Sequence, residues 1–284
     1  MSRAESALAT LILLGALSAQ GEASKAVPPA PAPPSDAECH ALPPLRSPWS
    51  FAPGEVLEFD LDALGAKAGT MSLTVLPSEH GALPISVNVQ TNTFFSKVRR
   101  VRATATSYLT PSTLRPARYV EDSMENDIHR TAEVAFSPKE RKARMHAVVN
   151  GTPVNRDFVY PRDAFDDAGV FAVLRQLPYR KGLAVCLDAF GLRRMWRVSG
   201  TVVGREHISL AVGEFEAWHL QGEAVRLDDF HQRREVHLWI SDDARRLPLV
   251  AVGAIDLGAV RATLKAFSRP HEKHVREDKS TMSW

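Results

Sequence analysis

The chain has 284 residues, 44% of them hydrophobic, enough for one sizeable core, and it is read as one domain. Its 35 Lys plus Arg stand against 33 Asp plus Glu, a formal charge of +2 with acidic neighbours beside nearly every basic cluster. That balance argues against nucleic acid as a partner.

In chain order, Arg3 precedes an apolar run from Ala7 to Leu17, and the small residues Ser18, Ala19, Gly21 and Ala23 follow. This is the layout of a secretory signal over residues 1–23, too short to span a bilayer, which takes roughly 20 apolar residues. No later segment approaches that length, so the reading places the mature chain in the periplasm or outside the cell, without a transmembrane segment. Residues 24–48 form a linker whose Val27–Pro34 stretch reads as an extended polyproline spacer. Cys39 follows Asp36-Ala37-Glu38, which is no lipobox, so a lipid anchor is not expected. Cys186 sits in a strand-like stretch, Leu183 to Leu187. In an oxidising compartment the two cysteines could form one disulfide, and a buried free thiol at Cys186 is an equal alternative.

From Trp49 to about 268 the chain reads as one antiparallel β domain. Residues 55–62 alternate polar and apolar, Gly65 and Gly69 mark turns, and Thr70 to Leu76 alternates through Met71, Leu73 and Val75. About a dozen such segments predict a large antiparallel meander curled into a half-barrel or β-roll. Residues 166–177 break the rhythm: Asp166-Asp167 precede an apolar run that Pro178 ends, predicting one short acid-capped helix that plugs or caps the sheet. Residues 269–284 read as a flexible charged tail.

Four motifs occur in order: Phe51-x-Pro53-Gly54-Glu55-x-Leu57-x-Phe59, the Asp166–Arg175 helix, Gly213-x-Phe215, and Trp239-Ile240-Ser241-Asp242-Asp243-x-Arg245-Arg246-x-Pro248. Together they resemble the bacterial envelope family catalogued as domain of unknown function 3108, over roughly Trp49 to Phe267, the last motif being the most specific. The chain departs from that family at Phe59, where Tyr is frequent, near Gly169, where Ser is, and in a longer loop expected over Asp122 to Glu133. The resemblance implies an exported β protein with a curled sheet, in architecture like the lipid-carrying half-barrels of lipoprotein sorting, and implies no activity. On the residues alone, Pro53-Gly54-Glu55 reads as a turn in which Glu55 meets backbone donors, and Asp242-Asp243 reads as a structural turn with Arg245 or Arg246 as its partner.

Signals for chemistry are weak. His207, His219, His231 and His237 fall close together, but without the spacing of a zinc motif, so neither metal nor cofactor is expected. There is no GxSxG, and Ser107 or Ser241 paired with a distant histidine is a background combination. Asp157, Asp163, Asp166 and Asp167 could serve a glycosidase, although helix capping explains them more simply. The first-ranked function is non-catalytic binding of a lipid or other amphiphile inside the curled sheet, lined by Val101, Ala103, Met195, Trp196, Trp218 and Trp239. Arg99-Arg100 and Arg193-Arg194 are candidates for an anionic head group. An envelope protein-interaction module ranks second and a hydrolase third; an open interior groove favours the first, a filled interior with a surface apolar patch the second.

Overall fold

The computed structural model describes Cys39 and residues 41–191, 193–255 and 258–270. The expected signal segment, most of the linker and the tail from 271 onward lie outside the described residues. The strands are β1 (Val56–Ala63), β2 (Ala66–Val75), β3 (Leu83–Thr91), β4 (Val101–Leu109), β5 (Pro116–Glu125), β6 (Ile128–Ser137), β7 (Lys142–Val149) and β8 (Thr152–Val159). After β9 (Ala164–Asp166) comes helix α1 (Asp167–Leu174), then β10 (Ala184–Gly191), β11 (Arg194–Leu210), β12 (Gly213–Arg226), β13 (Arg233–Ser241), β14 (Pro248–Ile255) and β15 (Gly258–Ser268).

All fifteen belong to one sheet, ordered β8 down to β1, then β15 down to β9. Every hairpin is antiparallel, β15 closes antiparallel onto β1, and only the short β9 runs parallel to its neighbour β10. The outer strands β8 and β9 are consecutive in sequence, and the five Cα steps across the four residues between them reach at most roughly 18 Å. The two edges must therefore lie close, which curls the sheet almost into a cylinder without closing it. Across the seam the Phe158 ring of β8 meets the Phe190 ring of β10 at 5.3 Å.

The meander rests on period-two burial. On β1, Leu57, Phe59, Leu61 and Ala63 point inward, opposite Leu73, Met71 and Gly69 of β2. Gly222 faces Gly200 across β11 and β12, and a β-carbon on Gly222 would strike the Ser199 carbonyl, so this close approach requires glycine.

Helix α1 fills the cylinder. All its residues are buried, and after Asp167 it is apolar on every side, so packing, not amphipathicity or propensity, stabilises a segment with one Gly and two Val. Asp166 caps it, accepting from the Gly169 amide at 2.8 Å. Gly169 leaves room for that cap, since a β-carbon there would lie 3.0 Å from the Asp166 Oδ1. At the far end the Tyr179 hydroxyl donates to the Leu174 carbonyl at 2.9 Å.

The dozen expected segments become fifteen strands. The loop expected over Asp122 to Glu133 is instead a hairpin of β5 and β6, turning at Asn126. Strand β5 was illegible because its inward row is Tyr119, Glu121, Ser123 and Glu125, all buried yet mostly polar. Strand β8 has no buried residue on either face, so it carries no periodic signal.

Candidate functional site

The curled sheet has two ends. At the helix rim the chain enters at Glu55 and leaves at Arg269, and there the recurrent motifs converge. Arg175, directly after α1, makes a two-pronged contact with Glu55 at 2.5 and 3.2 Å, and also donates to the Arg245 and Arg246 carbonyls at 2.9 Å each. Arg269 approaches the same Glu55 carboxylate at 2.9 Å. Glu55 thus meets guanidinium groups, not the backbone donors expected from its turn. Burial pushes the Arg175 guanidinium down, opposed by Glu55. Asp243 accepts from the Ser241 hydroxyl and the Arg245 amide, both at 2.9 Å, while Asp242 accepts from the Trp218 indole at 2.7 Å. With each of these carboxylates engaged in the turn, the arrangement is a lock on the helix.

Cys39 and Cys186 are joined in a disulfide with a Cα–Cα distance of 5.2 Å, and it ties the N-terminal arm to β10. The arm continues over the helix rim, where the Arg46 amide donates to the Gln176 carbonyl at 2.8 Å.

The opposite, hairpin rim carries the β1–β2 turn at Leu64-Gly65, the β3–β4 connection through residues 92–100, and the β5–β6 turn. Just inside it, Glu121 accepts from Ser123 at 2.8 Å, Arg193 at 3.0 Å and Tyr119 at 3.2 Å, and Glu125 accepts from Arg99 at 2.7 Å. Arg130 lies 3.5 Å from Glu125. Burial and then the Glu121 carboxylate push the Tyr119 hydroxyl well up, while burial and then the Arg193 charge push Arg130 down. Behind this layer Asp166 accepts from the Ser107 hydroxyl at 2.5 Å, and burial pushes its carboxyl up to about 6. Outside, the rim exposes Leu64 at 61%, Phe94 at 68% and Val98 at 59%, and Met124 at 39% lies on β5 two residues before the β5–β6 turn. Neither Leu64 nor Phe94 was legible as functional, although a Leu-Gly pair where a hairpin turn favours Asn-Gly was the available signal.

The six expected lining residues do not share one wall. Val101 and Ala103 form a small cluster with Val89, Met195 belongs to a second core with Tyr119 and Phe190, and Trp196 and Trp218 belong to the main core around α1. Trp239 is half-buried and stacks on His219 at 4.3 Å. The space between α1 and the sheet, bounded by Phe51, Leu57, Leu73, Ile85 and Phe171, measures about 10 Å³, room for one water at most. A groove of about 370 Å³ crosses β15, β1, β2, β3 and β4, lined by Thr70, Ser72, Asn88 and Gln90 together with Phe59, Met71, Val89 and Ala103, the last of these one of the six expected residues.

The histidine cluster is partly assembled. His219 contacts Glu206 at 2.6 Å and His237 at 2.9 Å, His237 contacts Glu235 at 3.1 Å, and Trp239 donates to Glu206 at 2.8 Å. That Trp239 bond, against a smaller opposing effect of burial, holds the Glu206 carboxyl low. Among the described residues no group of three His, Cys, Asp or Glu side chains is placed to hold a metal ion. Of the four aspartates near the helix, Asp166 is its cap, Asp167 is buried in its first turn, Asp163 pairs with Arg115, and Asp157 is exposed on β8.

A family model for proteins of unknown function, DUF3108, matches residues 58–265. No curated protein matches the chain. The crystal structure of a β-barrel-like protein of another family of unknown function, DUF1849, from Brucella abortus, superposes with a TM-score of 0.55 at 9% identity. It covers 77% of this chain and 98% of that one, a likeness of fold. A Bacteroides fragilis protein described as exported, with a YmcC-like fold, gives 0.32 at 6% identity over 77% of this chain and 97% of its own. A Parabacteroides distasonis protein described as a candidate lipoprotein gives 0.31 at 10% over 78% and 98%. No described helix is long and apolar enough to cross a membrane.

Proposed function

The chain belongs to the DUF3108 family, whose function is unknown, and we propose that it is an exported, non-catalytic docking module of the cell envelope that binds through its hairpin rim. The observation that carries this reading is the packed interior: every residue of α1 is buried, the pocket beside it at Leu57, Ile85 and Phe171 holds about 10 Å³, and Leu64, Phe94 and Val98 stand exposed together on the hairpin rim, whereas the comparably exposed Val159 lies alone at the other end of β8. A carrier of acyl chains would need a cavity of several hundred Å³. The engagement of Asp242, Asp243 and Glu55 in structural contacts, with the Ser241 hydroxyl held between Asp243 and the Leu247 amide and no histidine among the described partners of that turn, supports a non-catalytic role. The export part of the reading rests on the residues 1–23 pattern and is supported by the Cys39–Cys186 disulfide, which suits an oxidising compartment.

The test is fractionation of cells expressing the full chain or a Leu64→Asn, Phe94→Ser, Val98→Ser variant. Retention of the wild type in the envelope fraction and release of the folded variant is the expected result. Equal retention of both would overturn the proposal, as would a stoichiometric lipid in the native mass spectrum of detergent-free protein.

A further inference from the structure

We infer that the hairpin rim docks onto an anionic lipid bilayer, an inference that rests on the rim-docking reading and narrows its partner. The first support is Leu64. It has φ 53 and Gly65 has φ 75, the geometry of a tight hairpin turn that Asn-Gly or Gly-Gly would adopt without strain. Leu114 also holds a left-handed conformation, at φ 57, but is fully buried, so packing offsets the strain. Leu64 is 61% exposed and gains no such offset from burial among the described residues. A residue disfavoured by both backbone and solvent is explained by contact with something outside the molecule.

The second support is the company it keeps. Phe94 and Val98 expose comparable apolar area on the β3–β4 connection, which is tied to the start of β2 by the Asn92 amide donating to the Ala68 carbonyl at 2.8 Å. The apolar tips therefore stand on adjacent connections at one end of the cylinder, away from the helix rim where the described chain enters and leaves. The third is charge. Residues 93–102 contain Lys97, Arg99, Arg100 and Arg102 and no acid. Arg99 turns inward to Glu125, while Lys97, Arg100 and Arg102 are exposed, Arg100 with Asp127 at 3.1 Å. Apolar tips with the cations Lys97, Arg100 and Arg102 on the β3–β4 connection, set against the acids Asp62 and Asp127 of the neighbouring turns, match the acyl boundary and the phosphates of an anionic bilayer, so that the strands stand upright on the surface with the tips inserted. The arginine–glutamate layer inside the rim fixes the connections from behind.

The experiment uses the exported chain purified without detergent and sedimented with vesicles of phosphatidylcholine alone or containing phosphatidylglycerol. Binding to the anionic vesicles, weakened in 1 M salt, is expected. Lys97→Gln with Arg102→Gln should weaken it about 25-fold, roughly fivefold per cation, and Phe94→Ser with Leu64→Asn by at least about tenfold. Asn suits the left-handed turn, so the second pair should fold, as circular dichroism would verify. A Phe94→Trp variant should shift its emission to the blue on anionic vesicles. If the wild type ignores both vesicles while the rim variants still lose envelope retention, the lipid partner is overturned and rim docking to a protein stands. If the variants keep vesicle binding and envelope retention alike, both readings fall.

Discussion

Replacing Asp166 by Asn tests whether a buried, strained protonation equilibrium sits at the base of the plug helix. The carboxyl is fully buried, accepts from the Gly169 amide and the Ser107 hydroxyl, and is pushed from 3.8 up to about 6 because burial outweighs both bonds. A raised carboxyl binds its proton more tightly when folded, so between pH 4 and 6 the native state holds more protons than the unfolded one. Its stabilising contribution is therefore present at low pH and declines as pH rises through that window. A shift of about 2 units corresponds to about 3 kcal/mol. Asn keeps an oxygen for the helix cap and can donate to Ser107, but does not titrate. Urea unfolding followed by tryptophan emission at several pH values between 4 and 7.5 gives the stability of each protein. The wild-type value minus the variant value should fall by up to about 3 kcal/mol from pH 4 to pH 7. Subtraction cancels the titration of the other carboxylates, so a flat difference curve would refute the assignment.

Glu55→Ala leaves Arg175 and Arg269 without their shared carboxylate and should cost about 3–5 kcal/mol, measured as a lowered urea midpoint. Pairing Glu55→Leu with Arg175→Met should recover much of that loss, and no recovery would show that the carbonyl contacts of Arg175 dominate. Cys39→Ser opens a link between residues 147 apart, for which chain entropy predicts a loss of up to about 5 kcal/mol; the check is that reductant lowers the wild-type midpoint and leaves the variant unchanged. Gly222→Ala should break the β11–β12 register, seen as lost amide protection on both strands, because its β-carbon collides with backbone and not with a movable side chain.

The residues by themselves determined the class of fold and the place of the one α-helix among the described residues, because both follow from local patterns. Leu57, Phe59 and Leu61 alternate as a half-buried strand must, and Asp166 before an apolar run with Pro178 after it is a cap and a stop. Only the tertiary structure decided what the cylinder contains and which of its surfaces is unusual. The inward row Tyr119, Glu121, Ser123 and Glu125 reads as solvated until Arg99, Arg130 and Arg193 arrive from other parts of the chain to compensate it. Period-two tryptophans looked like the wall of one pocket, yet Trp196 and Trp218 are buried in the packed core around α1 and Trp239 lies on its margin, stacked on His219, while Met195, Val101 and Ala103 fall in other clusters. Exposure is likewise non-local: nothing within residues 64 or 94 states that no other segment covers them, since that depends on how fifteen strands, paired across most of the chain, close around a helix.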